Sequence, residues 1–114
     1  MKSIVKNIYD SLDEKKGIDT KIIDISNISI ISDYFVISGG SNEKQVQAMV
    51  DEVYDNLAKE NLHPKHIEGY KNAQWVLMDY GDVVVHVFNQ NDRAFYDLER
   101  IWSDARIAGI DEFA

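Results

Sequence analysis

Residues 75–88 read WVLMDYGDVVVHVF, and this stretch decides the fold. Together with Gln74 it forms two β-rich runs, residues 74–80 and 83–88, separated only by Gly81-Asp82. A Gly-Asp pair between two such runs is typical of a tight hairpin, because glycine readily enters the positive-φ conformation that the turn requires. We therefore predict an antiparallel hairpin closed by a two-residue turn.

A two-residue turn also fixes which residues face each other across the hairpin. The predicted opposite pairs are Tyr80 with Val83, Asp79 with Val84, Met78 with Val85, Leu77 with His86, and Trp75 near Phe88. Because side chains alternate between the two sides of a sheet, the hairpin presents two sets of residues. One set is almost purely apolar and forms the predicted core face: Val76, Met78, Tyr80, Val83, Val85 and Val87. The other set is Trp75, Leu77, Asp79, Val84, His86 and Phe88.

This second set combines a large apolar anchor, Trp75, with an acid and a histidine, which disfavour full burial. Three interpretations are open. Helices could cover this side of the sheet too, with Asp79 and His86 as a satisfied polar pair near the margin. The set could instead be a partly exposed apolar patch with polar edges, which is the composition of a protein interface. In the third interpretation Asp79 and His86 form a catalytic pair.

The helices are predicted from apolar positions at helical spacing. A first helix over residues 3–16 carries Ile4, Val5, Ile8, Tyr9 and Leu12 on one side, with Gly17 in the left-handed position after its end. A second helix is capped by Ser41 or Asn42, and its apolar stripe is Val46, Met49, Val50, Val53 and Leu57. A third begins near Asn91 or Asp92 and carries Phe95, Leu98 and Trp102.

Strands are predicted at residues 19–25, 34–37 and 65–68 in addition to the hairpin, with a turn region at residues 27–32. The order is α-β-β-α-β-β-β-α, which predicts an α/β (α+β) fold with a mixed, roughly five-stranded sheet and flanking helices. The length of 114 residues suits a single domain. We assign that domain to residues 1–104 and a short, loose acidic tail to residues 105–114.

Composition limits the partners. Twenty acidic residues against twelve basic ones give a net charge of −8, which would repel nucleic acid and favours a basic protein as partner. The chain contains no cysteine, and no apolar run approaches the ~18 residues of a membrane span. The sequence therefore predicts a cytoplasmic protein with no membrane contact and no sequence-specific nucleic-acid binding.

Gly39-Gly40-Ser41 is a candidate phosphate cradle, because it lies between a predicted strand and the N-terminus of a helix. Nucleotidyltransferases use a comparable glycine-serine turn, together with closely placed carboxylates that hold metal ions. The next acids here, Asp51 and Asp55, lie four apart among exposed positions of the second helix. The glycines are therefore interpreted as turn residues.

Other catalytic signals are weak. The three histidines, His63, His66 and His86, do not stand at the spacing of a metal site, and no serine lies in a nucleophile elbow. We therefore predict no catalytic residue, no metal and no cofactor. A divergent nucleotidyltransferase-like enzyme remains the main alternative, and a dimeric scaffold is a third.

Several segments resemble the Iojap or ribosomal silencing factor family. They are residues 33–37 (DYFVI), 45–48 (QVQA), 66–70 (HIEGY), 75–88 and 93–102 (RAFYDLERIW). The similarity runs from the first helix to about Trp102. It implies a nucleotidyltransferase-like fold without the catalytic carboxylates of those enzymes.

The resemblance also implies a function. A protein of this family binds the large ribosomal subunit through the ribosomal protein L-fourteen, blocks association with the small subunit and represses translation. It further implies a homodimer. On this basis we expect a partner-binding site at the hairpin, led by Trp75 and Leu77, edged by Asp79 and His86, with Tyr80 as a further contact near the turn.

Overall fold

The computed structural model describes residues 2–91 and 105–113. They form helix α1 (Lys2–Glu14), strands β1 (Ile18–Asp24) and β2 (Tyr34–Gly40), helix α2 (Glu43–Ala58), strands β3 (His66–Glu68), β4 (Trp75–Asp79), β5 (Val83–Asn89) and β6 (Arg106–Ala108), and a 3-10 turn (Ile110–Phe113). The predicted α+β domain with a mixed sheet is confirmed. Within the described ranges, neither α-helix is long and apolar enough to cross a lipid bilayer.

The sheet has six strands in the order β3-β4-β5-β2-β1-β6. Its two central strands, β2 and β5, run parallel, and every other neighbouring pair is antiparallel. All seven residues of β5 are buried, as expected for an apolar strand that is covered on both faces. The hairpin reaches from the centre of the sheet, at β5, almost to its edge, at β4.

The predicted hairpin register is confirmed. Asp79 pairs with Val84, Leu77 with His86, and Trp75 with Phe88. Gly81 adopts φ +89 at the first position of the turn, which a residue with a side chain would adopt only under strain. The Tyr80 N–H donates to the Val83 carbonyl at 2.9 Å and closes the turn.

Both described helices pack on one face of the sheet, which we call the helical face. The apolar stripe predicted for α2 is buried there in full, and Val5, Ile8 and Leu12 of α1 are fully buried beside it. The hairpin contributes its predicted core set, with Val76, Met78, Val83, Val85 and Val87 at most 1% exposed. Apolar burial at this scale is the dominant stabilising contribution to a domain of this size.

Helix α2 begins where the sequence predicts it. The Asn42 side chain accepts a hydrogen bond from the Gln45 N–H at 2.8 Å, as an N-cap residue does. The helix starts very close to the end of β2. A Cβ on Gly40 would lie only 2.8 Å from the Val46 side chain. Gly40 is thus required for close packing between β2 and α2.

The prediction that Gly17 adopts the left-handed conformation after α1 was wrong. The left-handed residue after α1 is Lys16, with φ 63, and the Gly17 N–H closes the helix by donating to the Leu12 carbonyl at 2.9 Å. A Cβ on Gly17 would clash with the Ser38 hydroxyl and lie 3.0 Å from Met49. Glycine is therefore needed here because the chain passes close to β2 and α2.

The prediction of a loose tail was also wrong for residues 106–113. Arg106–Ala108 forms β6, which pairs with β1 and becomes an edge of the sheet. The Arg106 guanidinium contacts Glu112 at 2.9 Å and Asp24 at 3.1 Å, and the Phe113 ring packs edge-on against Tyr34. This strand explains why the sheet has six strands. The third predicted helix, from residue 91 or 92 through Trp102, lies outside the described residues.

Candidate partner-binding surface

The face of the sheet opposite α1 and α2, which we call the second face, is divided between its centre and its margin. On β5, His86 is 3% exposed and Phe88 is fully buried. On β4, Trp75 is 43% exposed, and Leu77 and Asp79 are half-buried. The difference agrees with strand order, because β5 lies at the centre of the sheet while the outer neighbour of β4 is the short edge strand β3. The interpretation as a buried face therefore holds for the β5 half, and the interpretation as a partly exposed apolar patch holds for the β4 half.

Trp75 is exposed but closely held. Its indole stacks on Phe88 with ring centroids 5.2 Å apart and an interplanar angle of 21°. The indole Nε1–H donates a hydrogen bond to Nδ1 of His86 at 3.1 Å. The side chain thus lies across the hairpin towards β5 while much of its surface stays accessible.

His86 is buried among aromatic rings. The Phe35 ring lies 4.6 Å from its imidazole, centroid to centroid, and burial lowers the pKa of His86 from 6.5 to about 4. The imidazole is therefore neutral at pH 7, with Nδ1 as the acceptor for Trp75 and the proton on Nε2. Among the described residues no hydrogen-bond partner reaches Nε2.

Asp79 does not pair with His86. One carboxylate oxygen accepts the Gly81 N–H of the hairpin turn at 2.8 Å, and the other lies 3.8 Å from Nδ1 of His66 on β3. The predicted polar pair of Asp79 and His86 is therefore wrong, and so is the catalytic pair. In this arrangement Asp79 supports the turn and places a carboxylate at the rim of the second face.

A depression of about 280 Å³ lies on the second face beside the hairpin. Leu77, Val84 and His86 line it from the hairpin, and Asp79 and His66 supply polar groups. The remaining lining residues come from β2 and from the segment that precedes it: Ile25, Ser29, Ile31, Ser32 and Phe35. The structure thus gathers Leu77, Asp79 and His86 around one concave apolar site.

The segment of residues 26–33, which we call the isoleucine loop, exposes an apolar surface that the sequence analysis did not predict. Sequence reasoning interpreted it only as a turn, but Ile28, Ile30 and Ile31 are 56%, 104% and 81% exposed. Three exposed isoleucines within four positions expose a large apolar area, which monomeric proteins rarely leave uncovered. The clustering of isoleucine in a segment without strand alternation was the available signal.

Hydrogen bonds fix the isoleucine loop to the hairpin turn. The Ser32 hydroxyl donates to the Gly81 carbonyl at 2.7 Å, and the Asp33 N–H donates to the Asp82 carbonyl at 2.8 Å. Within the loop, the Ser29 hydroxyl accepts from the N–H groups of Ile31 and Ser32. The loop is therefore held beside the depression, and Ile31 lines it.

Tyr80 lies apart from the other predicted site residues. It packs against the core of the helical face, where burial raises the pKa of its hydroxyl. The alternation of side chains along the strand had placed Tyr80 on the core side, and the structure confirms this position. Of the five predicted contacts, Trp75, Leu77 and Asp79 are accessible on the second face, His86 lies beneath them, and Tyr80 is on the opposite face.

The candidate phosphate cradle is already filled by protein groups. The Ser41 N–H and hydroxyl both donate to the Gln45 side-chain oxygen at 2.6 Å, and the Gln45 N–H is bound by Asn42. The acids that follow on α2, Asp51 and Asp55, are exposed, and Asp51 accepts from the Tyr70 hydroxyl at 2.9 Å. These contacts disfavour a nucleotide at the start of α2.

The three histidines lie in three different settings. His63 packs beside Tyr54, His66 lies near Asp79, and His86 accepts from Trp75. Within residues 2–91 and 105–113, no group of three histidine or acidic side chains is arranged to hold a metal ion.

Comparison with known proteins places these observations in a family. Residues 1–113 match the model of the family described as ribosomal silencing factor during starvation. A ribosomal silencing factor of Bacillus subtilis is 43% identical over 110 residues, covering 96% of this chain and 93% of that protein. A more distant relative in the mouse, 28% identical over 95 residues and matched over 42% of its own length, is named mitochondrial assembly of ribosomal large subunit protein 1.

The fold is shared as well. A crystal structure of a protein from Bacillus halodurans superimposes with a TM-score of 0.84 at 38% identity, over 90% of this chain and 95% of that one. A second crystal structure, from Chromobacterium violaceum, gives a TM-score of 0.83 at 32% identity, over 88% of this chain and 83% of that one. The six-stranded sheet with its two described helices is thus the architecture of these solved neighbours.

Proposed function

We propose that this chain, which belongs to the ribosomal silencing factor family, binds the large ribosomal subunit through the ribosomal protein L-fourteen and prevents the small subunit from joining. Translation is repressed as a result. The family description supports a silencing role, and the name of the mouse relative supports a link with the large subunit. The protein acts in the cytoplasm, where ribosomal subunits meet.

The observation that carries this proposal is the exposed half of the second face. Leu77 and Ile31 line the depression, with Asp79 and His66 as its polar groups, and Trp75 is exposed on the same face two residues before Leu77 on β4. An apolar centre with a polar rim and a large aromatic anchor is the usual composition of a protein interface. We call Trp75, Leu77 and the isoleucine loop the docking surface.

Charge supports a basic protein as the partner. The chain carries a net charge of −8, which attracts basic surfaces and discourages stray contact with the phosphates of ribosomal RNA. A protein that recognised rRNA directly would need a basic patch, since neutralising phosphates provides most of the affinity for nucleic acid. Docking on a ribosomal protein avoids that requirement.

Size is sufficient for the proposed mechanism, which needs no catalysis. The molecule measures 33 × 33 × 25 Å. A standard protein interface covers about 800 Å² per partner, and a bound object of these dimensions then fills space that an approaching subunit must occupy. We therefore propose a non-catalytic protein that acts by steric obstruction.

Trp75→Ala tests the docking surface. We expect purified large subunits to bind this variant roughly 30-fold more weakly, because aromatic residues at the centre of an interface contribute about 2 kcal/mol or more. The measurement is co-sedimentation over a range of subunit concentrations, together with the yield of joined ribosomes. Tyr54→Ala is the matched control, because Tyr54 is 39% exposed but lies on α2, outside the docking surface.

The outcomes are distinct. If the docking surface binds the ribosome, Trp75→Ala loses both binding and inhibition of subunit joining, while Tyr54→Ala retains both. Undiminished binding by a folded Trp75→Ala protein would remove the hairpin from the site. Full joining of subunits at saturating wild-type protein would reject the steric mechanism itself. A pull-down with purified L-fourteen then identifies the ribosomal protein.

We also propose that the free protein forms a homodimer through the same apolar surface. An uncovered patch of this kind favours self-association when its partner is absent. Dimer and ribosome complex would then compete, so added large subunits convert dimer into bound monomer. Sedimentation with and without large subunits measures this exchange, and a dimer that is unaffected by Trp75→Ala would place the self-contact elsewhere.

A further inference from the structure

Trp75 combines exposure with restraint, and His86 is the source of part of that restraint. The indole stacks on Phe88, 5.2 Å away, but stacking alone lets a ring slide and rotate in its plane. The hydrogen bond from indole Nε1 to His86 Nδ1, 3.1 Å long, fixes that remaining freedom. One edge of the indole is therefore tied to the centre of the sheet and one face lies on Phe88, while 43% of the residue stays exposed.

The position of His86 is unfavourable for a polar residue. It is 3% exposed and faces the Phe35 ring, and its Nε2 meets no hydrogen-bond partner in the part of the chain that the structure describes. A buried donor without a partner destabilises a protein, whereas phenylalanine would fill a similar volume without that penalty. Space filling does not account for an imidazole here. Its distinctive contribution is an acceptor for the Trp75 indole.

We infer that His86 is a positioning residue, which acts through Trp75 and holds the indole in the orientation used for docking. This inference rests on the proposed function, because it assumes that Trp75 anchors the partner. It also changes the role of His86 in the site. The side chain lies beneath the docking surface and shapes it, instead of touching the partner.

The benefit is pre-organisation. A side chain that must be ordered on binding weakens the complex, and an anchor that is already ordered in the free protein avoids this loss. We therefore expect loss of the hydrogen bond to weaken binding to large subunits by about three- to tenfold. Folding stability should move differently, because a substitution that removes the buried unpaired N–H leaves stability unchanged or increases it.

His86→Phe and His86→Asn test the inference as a pair. Phenylalanine keeps an aromatic ring between Phe35 and Trp75 but has no acceptor. Asparagine has a side-chain oxygen that can take the place of Nδ1 as acceptor. The direct measurement is the NMR signal of the Trp75 indole N–H, which is assigned by its loss in Trp75→Phe. In His86→Phe we expect a changed chemical shift and faster exchange of this proton with solvent. In His86→Asn we expect the signal to return towards that of the wild type.

Binding is then measured in a double-mutant cycle with Trp75→Phe, which removes the donor. If His86 acts through the indole, His86→Phe weakens co-sedimentation about three- to tenfold in the wild type and has no further effect in Trp75→Phe. Equal effects in both backgrounds would overturn the inference, as would wild-type affinity in a His86→Phe protein whose indole signal has moved. Where His86→Phe folds poorly, His86→Leu, which also lacks an acceptor, completes the same cycle with Trp75→Phe.

The two levels of the hypothesis fail differently. Undiminished binding by Trp75→Ala rejects the proposed function and the positioning role with it. Loss of binding in Trp75→Ala, together with unchanged binding in His86→Phe, rejects only the positioning role and leaves the docking surface in place.

Discussion

The two faces of the hairpin are made from alternate residues of the same two strands, yet they differ in almost every physical respect. On the helical face, Met78 and Val85 pair across the strands and are fully buried under α2 and α1. On the second face, Leu77 and His86 are the next pair along, and Leu77 is half-buried while His86 accepts a hydrogen bond from an exposed tryptophan. A shift of one residue separates a core from a surface.

This difference lets one hairpin supply both a buried core and the docking surface that we propose. Because successive side chains of a strand point to opposite faces of the sheet, a substitution on one face need not disturb the other. On the helical face the hairpin is apolar apart from the hydroxyl of Tyr80, whereas the second face has Asp79 and His66 at its rim and a neutral histidine beneath Trp75. We therefore expect substitutions on the two faces to separate stability from binding.

The largest effect is expected on the helical face. Met78→Ala should lower the free energy of unfolding by about 2–5 kcal/mol, because it opens a cavity in a fully buried site. Leu77→Ala, the neighbouring residue on the second face, should lower it by less and weaken binding to large subunits. Urea denaturation and co-sedimentation measure the two quantities. Equal losses of stability in the two variants would contradict the division between the faces.

A pH effect should report on the second face. The pKa of His86 is about 4 in the folded protein and 6.5 in the unfolded chain, so the unfolded chain binds more protons between these values. Stability from this residue is therefore complete well above pH 6.5 and falls as the pH drops below it. We expect a loss of about 2 kcal/mol between pH 7 and pH 5.

The control for this pH effect is His86→Phe, which has no group that titrates at this position. As the pH falls from 7 to 5, the free energy of unfolding of the wild type should decrease relative to that of His86→Phe. Parallel pH profiles from pH 7 to pH 5 would mean that His86 is not buried as a neutral acceptor.

The isoleucine loop provides a smaller test, on binding alone. Ile31→Ser should weaken binding to large subunits by about 1.5 kcal/mol, roughly tenfold, because an exposed isoleucine loses its contact with the partner. Ile107→Ser is the matched control, since Ile107 is 63% exposed on β6, at the far end of the sheet order. Similar behaviour of the two variants would remove the loop from the docking surface.

The smallest effect is expected at the start of α2. Asn42→Ala removes the N-cap and should lower the free energy of unfolding by about 1 kcal/mol, with no change in binding. Thermal unfolding and co-sedimentation are the measurements. A change in binding at constant stability would indicate that the N-terminus of α2 belongs to a site, which its filled hydrogen bonds disfavour.

Local rules predicted the parts of the fold that depend on short stretches of chain. The two-residue turn at Gly81-Asp82 determined the register of the hairpin, and period two then identified the core set. The capping of α2 by Asn42 and its apolar stripe followed from spacing alone. These features are predictable because each is fixed by neighbours a few residues away.

Features that depend on distant contacts were not predicted. The three residues of β6 carry little intrinsic strand preference and form a strand because β1 presents an open edge. Gly17 is needed for a close approach to Ser38, which no local pattern reveals.

In the site, the sequence identified the residues of the second face but not their partners. Two of the three interpretations paired Asp79 with His86, yet His86 accepts from Trp75 and Asp79 binds the turn. The side-chain rotamers and the length of the indole determine which groups form hydrogen bonds, and the alternation of side chains along a strand does not predict either. The exposure of Ile30 and Ile31 was missed for a related reason, since only tertiary structure shows which apolar residues remain uncovered.

The parallel pairing of β2 with β5 has a consequence for synthesis. Tyr34 pairs with Val83 and Gly40 with Asn89, so β2 lacks its inner neighbour until translation has passed the hairpin. The contacts of α1 with α2 and of β1 with β2 involve shorter separations and can form earlier, because closing a short loop is fast. The side of the proposed docking surface that carries Trp75 belongs to the β4–β5 hairpin, so it cannot form until both of these strands have been synthesised.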